Sequence, residues 1–346
     1  MNNDLKEPAY VPLPRGISVQ RKWTLKNNRK DKLEGYESRF LQEGFNFSLT
    51  FYRYAPDISE NLSESKRVWL NTLADNFNLS PENIPEGHIY HLISDGDNPD
   101  EIKNRIKNSV FSNGSGVEVI TMQTAQPLII GLGEASPYET GITLDFLTGL
   151  PIIPGSALKG NTRRAAIMIY GAEYWDKFSS NFQEKFKCQP EIKQFNGLKY
   201  IDLLPYGEEF AFVADQIENF FVPGTFTEIF GTQDQKGKVI FMDAYPIDWP
   251  DGKLFRLDVM NPHYGPYYEN PSKNPPADWY NPIPVFYLTV NVGVKYRFIL
   301  ASENENILRK ALDWLKFALT NIGIGAKGNQ GYGVFEEVRN ANQNRT

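Results

Sequence analysis

The sequence predicts an α+β protein built on a ferredoxin-like (RRM-like) βαββαβ core, with long insertions and an N-terminal extension. Three observations predict it. VEVITMQTAQPLIIGL (117–132) is rich in β-branched residues, as a strand requires. ENILRKALDWLKFALTNIG (305–323) spaces Ile307, Leu308, Ala311, Leu312, Leu315, Ala318 and Leu319 as one apolar helical face. From residue 117 the elements then run strand, helix, strand, strand, helix, strand.

In chain order, residues 15–33 (RGISVQRKWTLKNNRKDKL) carry seven basic side chains against one acidic. This basic arm reads either as a solvated tail or as a phosphate-binding arm. GFNFSLTFYRYAP (44–56) alternates Phe45, Phe47, Leu49 and Phe51 with polar residues and reads as a strand. ESKRVWLNTLADNF (64–77) reads as a helix, with Val68, Leu70, Leu73, Ala74 and Phe77 on one side. The stretch 81–100 and the cluster FSNGSG (111–116) read as loops, the second dividing an extension, 1–116, from a domain, 117–346.

The first strand of that domain bends at Pro127, and the first helix follows in SALKGNTRRAAIMIYG, with Ser156 as its cap and Gly171 as its stop. GKVIFMDAYPI (237–247) and PVFYLTVNVGVKYRFILA (284–301) supply the next strands, the latter long enough for a hairpin turning near Asn291 to Gly293. A proline-rich excursion separates them. After the helix at 305–323 and a glycine-rich loop, YGVFEEV (332–338) closes the sheet.

Composition narrows the function. A net charge of −6 and a pI near 5.3 argue against a protein that coats nucleic acid with its whole surface, so any such contact is expected to be local. The single Cys188 excludes an intramolecular disulfide and a multi-cysteine metal knot. No apolar run reaches the length of a membrane span and the segment MNNDLKEPAY has no apolar signal core, so the expectation is a cytoplasmic protein. No cofactor motif is present.

Two stretches carry chemistry. SALKGNTRR (156–164) sets Lys159 and Arg163 four residues apart at the start of a helix, where unpaired amides and the helix dipole favour an anion; Ser156 and Arg164 flank them. Gly160 costs helix stability and suits a close approach. The other reading is a solvent-facing cationic pair, with Gly160 against a neighbouring strand. GIGAKGNQGYG (323–333) holds five glycines in eleven positions. Gly323, Gly325, Gly328, Gly331 and Gly333 can expose amides, Lys327 adds charge, Asn329 and Gln330 add donors, and Tyr332 can stack on a base. It lacks the Gly-Lys-Ser/Thr ending of a nucleotide-triphosphate loop and follows a helix, the reverse of the required order. A glycine turn packed for steric reasons is the alternative.

PIIPGSALKGNTRR (151–164) and GIGAKGNQGYGVF (323–335) together resemble the paired signature of the RAMP superfamily of CRISPR RNA-binding proteins. IFGTQDQKGKVIFMDAYP (229–246), LDVMNPHYGPYY (257–268) and PIPVFYLTVNVGVKYRF (282–298) are similar to its sixth-subunit branch in type III-B (Cmr) effector complexes. The similarity spans roughly residues 117–338, with Ala157 and Gly328 departing from the usual motif. It implies a non-catalytic subunit of an antiviral effector complex. Such a subunit holds the 3′ part of the guide RNA, meets target RNA and contacts other Cmr-type subunits. It further implies that Lys159, Arg163 and the Gly323–Gly333 loop touch the guide.

The enzymatic alternative is a metal-independent endoribonuclease that matures guide RNA with His263 as base. A plain assembly subunit is a third reading. His88 and His91 lie three residues apart near Asp95 and Asp97, a weak metal signature without a further ligand. Asp243 and Asp258 read as structural or interface residues. The glycine density leads to the expectation that Gly325→Val and Lys327→Ala weaken RNA retention without unfolding the protein.

Overall fold

A computed structural model describes residues 47, 51–52, 62–75, 84–96, 98–111, 116–136, 138–262, 264–277 and 279–338. The basic arm, most of 44–56, Asp97 and His263 lie outside the described residues. In chain order the labelled elements are α1 (Leu62–Asp75), α2 (Ile89–Ile93), α3 (Pro99–Val110), β1 (Gly116–Thr124), α4 (Gly155–Glu173) and α5 (Trp175–Phe186). A hairpin of β2 (Glu191–Phe195) and β3 (Leu198–Asp202) precedes α6 (Glu208–Asp215), which runs into a π-turn, Gln216–Phe220. Then come α7 (Gly224–Phe230), β4 (Ile240–Phe241), β5 (Tyr245–Asp248), β6 (Phe255–Met260), α8 (Gly265–Glu269), β7 (Val285–Val290), β8 (Lys295–Ser302), α9 (Glu305–Phe317) with a second π-turn (Ala318–Ile322), and β9 (Phe335–Glu337).

These elements form a mixed α/β structure with antiparallel sheets, in two units. One comprises residues 86–130, 152–250 and 291–346; the other comprises 1–85, 131–151 and 251–290.

In the first unit β1 and β8 are the central strands, running from Gly116 opposite Ser302 to Gln123 opposite Lys295. β9 flanks β1, and β4 and β5 flank β8, all antiparallel. Tyr296, Phe298, Ile299 and Leu300 of β8 are fully buried, as the strand's apolar run requires. Trp314 of α9 is also fully buried, edge-on to Tyr170 of α4 at 5.5 Å between ring centres. Gly171 does not stop α4, which continues to Glu173. A Cβ there would lie 2.7 Å from Val213 Cγ1, so the glycine lets α6 approach.

The segment 237–247 breaks into two short strands. Ala244 exchanges both backbone hydrogen bonds with Ile153, at 2.9 and 3.0 Å, and the break turns Asp243 toward the start of α4. The hairpin expected within 284–301 is absent: β7 ladders with β6, and β8 with β1. The turn does form, but Thr124 claims it. Gly293 N–H donates to Thr124 O at 2.7 Å, and the Thr124 hydroxyl donates to Asn291 O at 2.7 Å, which commits the following residues to β1.

In the second unit α1 packs on the β6–β7 ladder, burying Trp69, Leu70 and Leu73. Phe47, Phe51 and Tyr52 are helical, correcting the strand expected there. Phe47 stacks on Phe255 at 4.6 Å and Phe51 lies 5.1 Å from Tyr138. Among the described residues no helix is long and apolar enough to cross a membrane.

Candidate nucleic-acid interface

Helix α4 starts two residues earlier than a cap at Ser156 would place it. Pro154 is its N-cap, and no side chain caps it from within the chain segment; Ser156 sits exposed in the first turn. Proline fixes the entry φ and its carbonyl accepts from Ala157 and Leu158 at 2.9 and 3.0 Å. The Gly155 amide donates to Asp243 Oδ1 at 2.7 Å. A carboxylate of the same chain therefore already takes one of the amides that favour an anion. Gly155 itself is forced by this join, since a Cβ would lie 2.1 Å from Phe241 O.

The side chains that follow separate into distinct settings. Lys159 is partly exposed and pairs with no described residue. Gly160 is exposed and has nothing within 4 Å of a Cβ, so no neighbouring strand explains it. Arg163 Nη2 lies 2.8 Å from Glu218 Oε1, with the guanidinium 5.7 Å from the Phe226 ring centre. Burial pushes the Glu218 carboxyl up and Asp215 adds to the shift, while Arg163 opposes them. Arg164 donates to the Tyr206 hydroxyl at 3.0 Å.

The loop after α9 is a self-bonded structure. Ile324 N–H donates to Gly333 O at 2.9 Å, Ala326 N–H to Ile129 O at 2.8 Å and Gly333 N–H to Pro127 O at 2.8 Å. Its glycines divide by role. At Gly325 (φ +94°) and Gly333 (φ +73°) a Cβ would lie 2.1 Å from Ile129 O and 1.8 Å from Ile324 O, so the chain's own backbone demands them. At Gly323 (φ +75°) it would lie 2.9 Å from Tyr332 O. Gly331, at φ +89°, has open space, and Gly328 meets only Ile322 O at 3.7 Å. The steric explanation thus accounts for Gly323, Gly325 and Gly333, and the open part of the loop is 328–331.

Most of the loop amides are spent internally. Those of Gly325, Gly328 and Asn329 have no partner among the described residues. Lys327, itself left-handed at φ +59°, precedes a short 3₁₀ turn that exposes Asn329 and Gln330. Tyr332 is half-buried.

The two motifs, 162 residues apart, meet: Asn161, buried in α4, donates through Nδ2 to Gly323 O at 3.0 Å. Asn161, Asp243 and Glu218 were not singled out from the sequence as site residues. An asparagine inside a helix, where it is a poor former, was a signal for the first; nothing local marks the others. His88 serves α2 as its cap, accepting from Tyr90 N–H through Nδ1 at 3.2 Å. Among the described residues no three His, Cys, Asp or Glu cluster to hold a metal.

Comparisons with known proteins agree with the motif pair. The CRISPR system Cmr subunit Cmr6 of Pyrococcus furiosus is 36% identical over 226 residues, covering 62% of this chain and 66% of that protein, just under two thirds of its length. The corresponding Cmr6 subunit of Saccharolobus solfataricus is 26% identical over 283 residues, 81% of this chain and 73% of that one. A chain in the cryo-EM structure of the type III-B Cmr-beta bound to cognate target RNA aligns over 80% of this chain and 72% of its own length, with a TM-score of 0.49 and 22% identity. The family model described as the RAMP superfamily matches residues 121–336, well over half the sequence, and the chain belongs to that superfamily.

Proposed function

We propose that this chain is a non-catalytic RNA-binding subunit of a type III-B CRISPR ribonucleoprotein effector complex, working in the cytoplasm in antiviral defence. It holds the 3′ part of the guide RNA, meets target RNA and contacts neighbouring Cmr-type subunits. The observation that carries this reading is the junction of the two motifs through Asn161 and Gly323. It joins the helix bearing unpaired Lys159 and open Gly160 to the loop bearing Asn329, Gln330 and free amides. The antiparallel order β9–β1–β8–β4/β5, with α4 and α9 as the two crossing helices, supports a ferredoxin-like core beneath that junction.

Phosphate contacts from Ser156, Lys159, Arg163, Arg164, Lys327 and the loop amides hold a strand without reading its bases, which suits a guide of variable sequence. The test is to purify the tagged protein from its native host, identify co-eluting proteins and sequence bound RNA. Short RNAs with a shared repeat-derived end, together with several other subunits, are expected. Elution alone and RNA-free would reject the reading. RNA cleavage lost in His263→Ala and insensitive to chelator would replace it with the nuclease.

A further inference from the structure

Arg163 is the natural phosphate ligand of the 156–164 stretch, because a guanidinium can grip a phosphate through two parallel hydrogen bonds. In the structure it is engaged elsewhere. Nη2 holds Glu218 Oε1 at 2.8 Å, and no other nitrogen of the guanidinium has a partner among the described residues. The side chain of Arg163 is 47% exposed and that of Glu218 24%, so the pair lies at the surface, where ion pairs are weak enough to exchange.

Glu218 is poorly placed for a carboxylate. Burial and Asp215 both work against its charge, leaving Arg163 as its compensation. It is carried on the π-turn Gln216–Phe220, a departure from helical geometry that is rare and frequent at functional sites. The helix start repeats the pattern, with the Asp243 carboxylate on the Gly155 amide. The two groups of α4 best suited to an anion each hold a carboxylate from their own chain, while Lys159 between them holds none.

We propose that Glu218 is an internal competitor for RNA phosphate at Arg163: its carboxylate occupies the guanidinium while no RNA is bound, and a backbone phosphate takes its place. This rests on reading the 156–164 stretch as an RNA contact. The consequence is selectivity. A lone anion has to displace a neighbour tethered beside Arg163 at high effective concentration and gains little. A strand already touching Lys159 and the 323–333 loop presents its phosphate with the same advantage and completes the exchange.

The test measures binding of the full chain to a short fluorescent oligouridylate over a range of salt concentrations. Glu218→Gln should tighten binding about three- to tenfold at low salt, because the incoming phosphate no longer has a carboxylate to displace from Arg163. Glu218→Asp, a methylene too short for the observed contact, should shift binding in the same direction. Arg163→Ala should abolish the gain, so that the double variant Arg163→Ala/Glu218→Gln binds like Arg163→Ala. Wild-type affinity in both Glu218 variants overturns the proposal, as does a gain that survives intact in the Arg163→Ala background, which marks a general charge effect. If neither wild type nor Glu218→Gln retains RNA, the RNA reading fails and takes this inference with it. RNA retained by wild type with Glu218 inert removes this inference alone.

Discussion

A side chain at position 325 has no room: its Cβ would meet the Ile129 carbonyl at 2.1 Å, on a backbone held at φ +94°. Gly325→Val should therefore destabilise the fold by about 2–4 kcal/mol, contrary to the expectation that it would only weaken RNA retention. Thermal melting of the variant checks this. Gly160 is the informative glycine, because it faces open space in a helical conformation. Gly160→Ala should stabilise the protein by about 0.5–1 kcal/mol through helix propensity. If RNA backbone lies against this turn, the same variant retains less RNA. Opposite signs in melting and binding would separate a ligand contact from packing, and unchanged retention would remove Gly160 from the contact set.

At the scale of elements, helix α4 and the glycine loop are registered by one buried hydrogen bond. Asn161→Ala would leave Gly323 O without this donor and should cost about 1–3 kcal/mol. It should also lower RNA retention per folded molecule, measured alongside melting; retention unchanged after correction for folding would show that helix and loop act separately. The elements differ in how far sequence revealed them. α9 was legible because its apolar residues keep a helical period over more than three turns. The strand expected at Phe47, Phe51 and Tyr52 gives way to helix because Phe47 and Phe51 stand four residues apart, a spacing common to a strand face and a helix face. The hairpin β2–β3 carries a strong local signal, Asn196-Gly197 at left-handed φ between two β-rich runs. Helix α3 likewise carries Asn98 as cap, with Pro99 in its first turn.

At the scale of the whole molecule, the mixed α/β character of the unit built on β1 and β8 was readable because its strands and helices follow one another along the chain. The other unit was not, because its segments 131–151 and 251–290 join residues before 86, and pairing across such separations leaves no local pattern. The same holds for the glycine loop: its composition was visible, whereas the carbonyls of Ile129 and Ile324 that impose Gly325 and Gly333 were not. The acidic chain, at net charge −6, leaves few cations for RNA. Contacts by Lys159, Arg163, Arg164 and Lys327 alone should give a log K against log salt slope of about −3 on single strands. A slope steeper than about −5 would add the basic arm at 15–33 to the contact. The hydrogen bonds that close the loop on Pro127, Ile129 and itself bear finally on time. A surface whose shape is already set spends no interval rearranging, so RNA association in stopped flow should follow one exponential, its rate rising linearly with RNA concentration.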